Sequence, residues 1–187
     1  MKNIISILLI IFSFSCKAQQ EYPLNTNSNE IPVNSYIKDY NHELDTYVGT
    51  WKANYNGNQT TLFITKEIKK LFDFDTNHKF FSDVLTVKYE IKNSSAIILQ
   101  STLNNMTLRN NIFSMSNDSS INEVGLYYSG TNCGVGWGRI YIKKLNNTQI
   151  SWAYYPNDTM LTAATCPGNP DLTIYLPETE NLVFTKQ

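Results

Sequence analysis

No charge of one sign dominates this chain: 15 Lys and Arg face 16 Asp and Glu in 187 residues, a formal net charge of −1. The basic excess that phosphate backbones attract is missing, so no nucleic-acid partner is expected. Alanine is scarce at 6 residues, while Asn and Thr number 23 and 18. That balance disfavours helix and suits strands joined by polar turns. Histidine occurs twice. Neither His42 nor His78 stands in a His-x-x-x-His or Cys/His spacing, so both read as surface residues and no zinc site is expected. Gly-x-Ser-x-Gly elbows, P-loops and dinucleotide glycine motifs are all absent. Asp73-Phe74-Asp75-Thr76-Asn77 copies the start of a calcium loop. Its sixth position, however, is His78 where the sharp turn needs Gly, and its twelfth is Val84 where a bidentate Glu belongs, so it reads as a solvated turn. The expectation is no metal and no cofactor.

Long hydrophobic runs are also lacking, with one exception. Met1-Lys2-Asn3 is followed by eleven uncharged residues, Ile4 to Phe14. A membrane-spanning helix needs about 20 residues, so the run suits the core of a signal peptide over residues 1–15. Ser13-Phe14-Ser15-Cys16 resembles a bacterial lipobox and marks Cys16 for lipidation. Cleavage after Ala18 and simple secretion are the alternative. Residues 16–40, polar and carrying Pro23 and Pro32, read as a lipidated tether, and residues 41–187 as a single domain. The implied localisation is the cell envelope, outer membrane included, anchored through the lipid.

Aromatic residues are abundant, with 12 Tyr, 9 Phe and 3 Trp. Leu44, Tyr47 and Val48 fall at helical spacing behind Asp39 or Asn41 as caps, predicting one short helical turn. From there the pattern is short strands: 50–55, then Asn56-Gly57 as a two-residue hairpin turn, then 59–66. A mixed connection is expected over 67–82. Residues 83–91 alternate, with Leu85, Val87, Tyr89 and Ile91 on one face. Further strands are expected at 96–103, 106–115, 124–129, 138–145, 149–155, 171–176 and 182–185. In the 138–145 run, Ile140 and Ile142 oppose Arg139, Tyr141 and Lys143. The fold class is therefore all-β. An antiparallel meander of eight to ten strands removes its exposed edges by closing into a barrel, with a two-sheet sandwich as competitor.

Gly49-Thr50-Trp51 at the first strand resembles the Gly-x-Trp start of lipocalin-like (calycin) barrels. That resemblance implies Trp51 at the barrel floor, Gly49 beside it, and a basic side chain from the last strand packed across the ring. Lys186, after Leu182-Val183-Phe184-Thr185, takes that role here. A resemblance over nearly the whole chain rests on Ser15-Cys16-Lys17-Ala18-Gln19, Leu44-Asp45-Thr46-Tyr47-Val48-Gly49-Thr50-Trp51, Asp83-Val84-Leu85 with Tyr89-Glu90-Ile91, and the ending Leu182 to Gln187. It is to an uncharacterised family of small Bacteroidota lipoproteins, the domain-of-unknown-function 6705 family. The resemblance implies localisation and architecture, and carries no activity.

Cys133 and Cys166 are the cysteines left once Cys16 is lipidated or removed. A pair in an oxidising envelope favours a disulfide. Asp158-Thr159-Met160 resembles the short O-glycosylation signal of Bacteroidota envelope proteins, at Thr159. Trp137, Tyr141, Trp152 and Tyr154 are candidates to line a ligand cavity, or simply to fill the barrel. The reading is a non-enzymatic module for a small ligand or an envelope protein. The alternatives are a barrel enzyme with an unrecognised site, for which Arg109 or Arg139 beside acids would speak, and a filled structural or inhibitor-like protein.

Overall fold

The computed structural model describes residues 18–104 and 112–187. Eleven strands are described: β1 Glu21–Pro23, β2 Tyr36–Lys38, β3 Gly49–Tyr55, β4 Asn58–Asp73, β5 Lys79–Lys92, β6 Ile98–Ser101, β7 Ile112–Asp118, β8 Glu123–Tyr128, β9 Gly138–Lys144, β10 Gln149–Pro156 and β11 Leu182–Lys186. Eight of them close a barrel in the order β5-β4-β3-β11-β10-β9-β8-β7, with β7 pairing back onto β5. Neighbours round this wall are antiparallel. The all-β, closed-barrel expectation holds.

Local chemistry explains the hairpins. Asn56 and Gly57 have φ of 48° and 78° between β3 and β4, the positive values that a two-residue turn matched to strand twist demands. In β5, Leu85, Val87, Tyr89 and Ile91 are buried while Thr86, Lys88 and Glu90 are only partly covered, as period-2 alternation dictates. Eight strands enclose a lumen just wide enough for side chains. Trp51, Tyr89, Tyr128, Trp152, Tyr154 and Phe184 are fully buried in it. Their rings touch in sequence, Trp152 to Phe184 at 5.7 Å between centroids, Trp152 to Tyr154 at 6.4 Å and Tyr128 to Tyr154 at 6.0 Å.

The stretch expected to be a tether carries structure. β2 lies parallel to β5 through Tyr36↔Phe81 and Ile37↔Ser82, and β1 lies parallel to β2. The cause is β5 itself, which is apolar on both faces at its start. Leu85 belongs to the barrel core, whereas Val84 and Phe80 join Phe72 and Ile37 in a second cluster, with Leu24 and Ile31 packed on it. The N-terminal segment is the cover this outer patch needs. One edge of β5 pairs with β4, and the other is shared in turn by β2, β7 and β6.

Two further expectations are corrected. Residues 67–82 are mostly strand: β4 and β5 run on past a bulge between Glu67 and Lys70, where Lys69 has φ 58°, and turn at 74–78. Residues 171–176 form no strand, although Leu176 is buried and Ile174 packs on the core. The short helical turn is a 3-10 turn over Leu44–Tyr47. The Asp39 carboxylate accepts from the N–H groups of Glu43 (2.8 Å) and Leu44 (3.1 Å), so Asp39 satisfies the start of the turn from upstream, while the N-cap residue Glu43 makes no side-chain cap bond.

Candidate functional site

The residues singled out by the sequence divide between three places. At the first-to-last strand seam, Lys186 is in register with Trp51, and its Nζ stands 5.1 Å from the indole centroid. The Trp51 Nε1–H donates to the Tyr47 carbonyl at 2.8 Å. Gly49 has φ 143°, and a Cβ there would sit 2.7 Å from the Lys186 Cε, so the lysine stem lies against the glycine. Cys133 and Cys166 are bonded, with Cα atoms 5.4 Å apart. The bridge ties the loop over residues 157–181 to the turn before β9. Thr159 is half-buried on that loop and its hydroxyl donates to the Gly134 carbonyl at 3.0 Å. Cys16 and Arg109 lie outside the described residues.

The four aromatics expected to share a cavity do not. Trp152 and Tyr154 point into the lumen, while Trp137 and Tyr141 lie on the outside. Strand parity decides it: Tyr141 alternates with the buried Ile140 and Ile142. Inside, Tyr89, Tyr128 and Tyr154 form a hydroxyl cluster. The Tyr89 and Tyr128 oxygens are 3.0 Å apart, Tyr89 also bonds Gln100 Oε1, and Gln100 Nε2 donates to Thr131 Oγ1. The Tyr154 hydroxyl donates to the Gly136 carbonyl. Burial raises all three phenols above their ordinary value, Tyr89 and Tyr154 furthest. They are neutral, hydrogen-bonded filling.

A second polar cluster is likewise closed. Lys66 Nζ bridges the Asp39 and Asp45 carboxylates at 2.8 and 2.7 Å. Asp83, buried, accepts from the Tyr36 hydroxyl and from the backbone N–H groups of Asp39 and Lys69. These contacts latch the N-terminal segment to the β4–β5 ribbon. His78, expected at the surface, is half-buried between Phe74 and Phe80, 5.1 and 5.4 Å from their centroids. Among the described residues, no three His, Cys, Asp or Glu are grouped to hold a metal.

Open space is found on the outer wall instead. β7 carries a bulge: Ser114 pairs with Leu126 and Ser116 with Gly125, leaving Met115 extra and exposed. Bulges re-aim side chains and recur next to functional sites. Two depressions meet here, sharing Met115 and Ser116. One, of about 250 Å³, lies between the 24–28 segment and β7 over Phe72 and Phe80. The other, of about 330 Å³, lies on β8 and β9, lined by Gly125, Tyr127, Arg139 and Tyr141. The register sets Phe113, Tyr127, Arg139 and Tyr155 in one row across four strands. Gly125, Tyr141 and Ala153 form the next row. Phe113 and Tyr127 are 5.7 Å apart, Tyr141 and Tyr155 6.0 Å. This wall was not foreseen as a site, although the alternation in 138–145 already put Arg139 and Tyr141 on one face.

Barrel and wall together define a small closed β-barrel protein with a packed lumen and an aromatic outer face. The chain belongs to a family of unknown function, DUF6705, which matches it over residues 1–187. No curated protein and no solved structure matches it.

Proposed function

We propose that this chain is a lipid-anchored cell-envelope protein, with a lipocalin-like barrel, that acts as a non-enzymatic binding module and takes its ligand on the outer wall. The observation that carries the reading is the pair of depressions joined at the β7 bulge, set against a lumen occupied by Trp51, Trp152, Tyr89, Tyr128 and Phe184. Side chains that fill a barrel keep it rigid, and a rigid wall presents surface rings without an ordering cost on binding. The Trp51–Lys186 contact supports the calycin likeness. Anchorage rests on the Ser15-Cys16 leader. β1 begins at Glu21, and five extended residues reach at most about 18 Å, so a lipid on Cys16 seats the barrel close to the bilayer.

Two measurements test this. NMR of the full chain against a library of small envelope metabolites and glycans should shift backbone signals of Gly125, Tyr127 and Tyr141. Shifts confined to Trp51, Tyr89 and Trp152 would put the ligand in the lumen and overturn the wall site. Cys16→Ser should release the protein from membranes; an unaltered chain that partitions into the aqueous phase of a detergent extraction would remove the anchor.

A further inference from the structure

The wall site has a charge pattern that narrows its ligand. Arg139 is exposed, and among the described residues no carboxylate stands within ion-pair distance of it. Its cross-strand neighbours on either side are Tyr127 and Tyr155. Two residues along β9 stands Tyr141, flanked across the strands by Gly125 and Ala153. The small neighbours leave Tyr141 in a shallow trough, and Ser116 Oγ, which a Cβ on Gly125 would meet, closes its β7 side. Lys143 borders the trough beyond Tyr141, and the two acids in register with that lysine's row, Glu123 and Asp118, lie there rather than in the row of Arg139.

Resting on the wall-site reading, we propose that this trough binds a carboxylate-bearing saccharide. Pyranose rings present flat C–H faces, and tyrosines give them large contact area plus a hydroxyl at low conformational cost. A guanidinium holds a carboxylate through two parallel N–H donors, which an ammonium does not reproduce. An extended peptide is the poorer occupant. β8 and β9 are paired on both sides, so no free strand edge is there to be extended.

The test titrates the full chain with oligogalacturonate, with the same oligomer methyl-esterified, and with phosphatidylglycerol vesicles. Oligogalacturonate should bind, more weakly as salt rises, and esterification should weaken it about tenfold or more, the scale of a hydrogen-bonded charge. Arg139→Gln should abolish the difference between the two oligomers. Tyr141→Ala should weaken both. Equal binding of the two forms refutes the acid preference yet leaves the wall site standing. Binding to neither oligomer, or to vesicles alone, overturns the saccharide, and the NMR map of the wall then decides separately whether a site is there.

Discussion

Trp51 and its two neighbours show how single residues hold the barrel shut. The indole is fully buried, so Trp51→Ala should destabilise by about 3–5 kcal/mol, as large aromatic truncations in cores do. Lys186→Ala removes a cation over the ring and the stem against Gly49, and should cost about 1 kcal/mol. Urea titration followed by circular dichroism separates the two; a lysine variant as damaging as the tryptophan one would contradict the division. The buried phenols give a pH prediction. Their folded pKa values lie above the ordinary value of about 10, so the fold favours their neutral forms. That stability is fully present below pH about 10 and is lost as pH rises beyond it. Tyrosinate absorbance should therefore show a late step, from Tyr89, Tyr128 and Tyr154, that coincides with loss of the fold. A single smooth titration would refute it. Tyr47, which burial pushes up to about 12, belongs to that late step. At this scale much was legible in the sequence, because parity alone put Ile140 and Ile142 on the face opposite Arg139, Tyr141 and Lys143. The hydroxyl partners were not legible, since Gln100 comes from β6 and Thr131 and Gly136 from the connection between β8 and β9.

Among the elements, the short strands of regular alternation were readable, and the longest two only in part, at 59–66 and 83–91. β4 continues through Glu67-Ile68-Lys69-Lys70, a charged run that offers no apolar alternation. The bulge there absorbs it by putting Lys69 at positive φ. The run 171–176 misleads in the other direction: it has strand-like residues, but Asp171 turns the chain, accepting from the Thr173 N–H and the Tyr175 hydroxyl. The loop over 157–181 thus has little backbone pairing of its own, and the Cys133–Cys166 bridge does that work across 33 residues of separation. A loop of that length corresponds to about 3–4 kcal/mol in the chain-entropy account. The Cys133→Ser, Cys166→Ser double variant should lose about that much, read as a lower urea midpoint. Faster hydrogen exchange should appear first at Thr165 and at position 166, whose N–H groups are bonded within the loop. Unchanged stability would show that Ile174 and Leu176 hold the loop without the bridge.

The whole molecule is a barrel plus a cover, and the cover was the part that composition hid. Residues 18–40 look like a linker because Asn, Ser and Pro crowd them, yet Leu24, Ile31 and Ile37 fall on the second cluster, while Val33 stays exposed. The exposed half of β5 explains why they must. Phe72, Phe80 and Val84 face away from the lumen, and without the segment they would form an apolar patch beside an unpaired strand edge, the combination that promotes aggregation. The attachment is polar as well as apolar, through Tyr36 to Asp83 at 2.6 Å and Lys66 to Asp39 at 2.8 Å. Deleting residues 18–40 should therefore lower the urea midpoint and the solubility of the barrel together. Tyr36→Phe is the milder version: it keeps the ring, removes one donor from a buried carboxylate that retains two others, and should cost about 1.5–3 kcal/mol, the range for hydrogen bonds to charged groups. The wall depression over Phe72 and Phe80 has the 24–28 segment as one bank, so loosening the latch should also widen hydrogen exchange at Asn25 to Ser28. A deletion variant as stable and soluble as the full chain would return the segment to the status of a tether and leave the β8–β9 trough as the whole of the site.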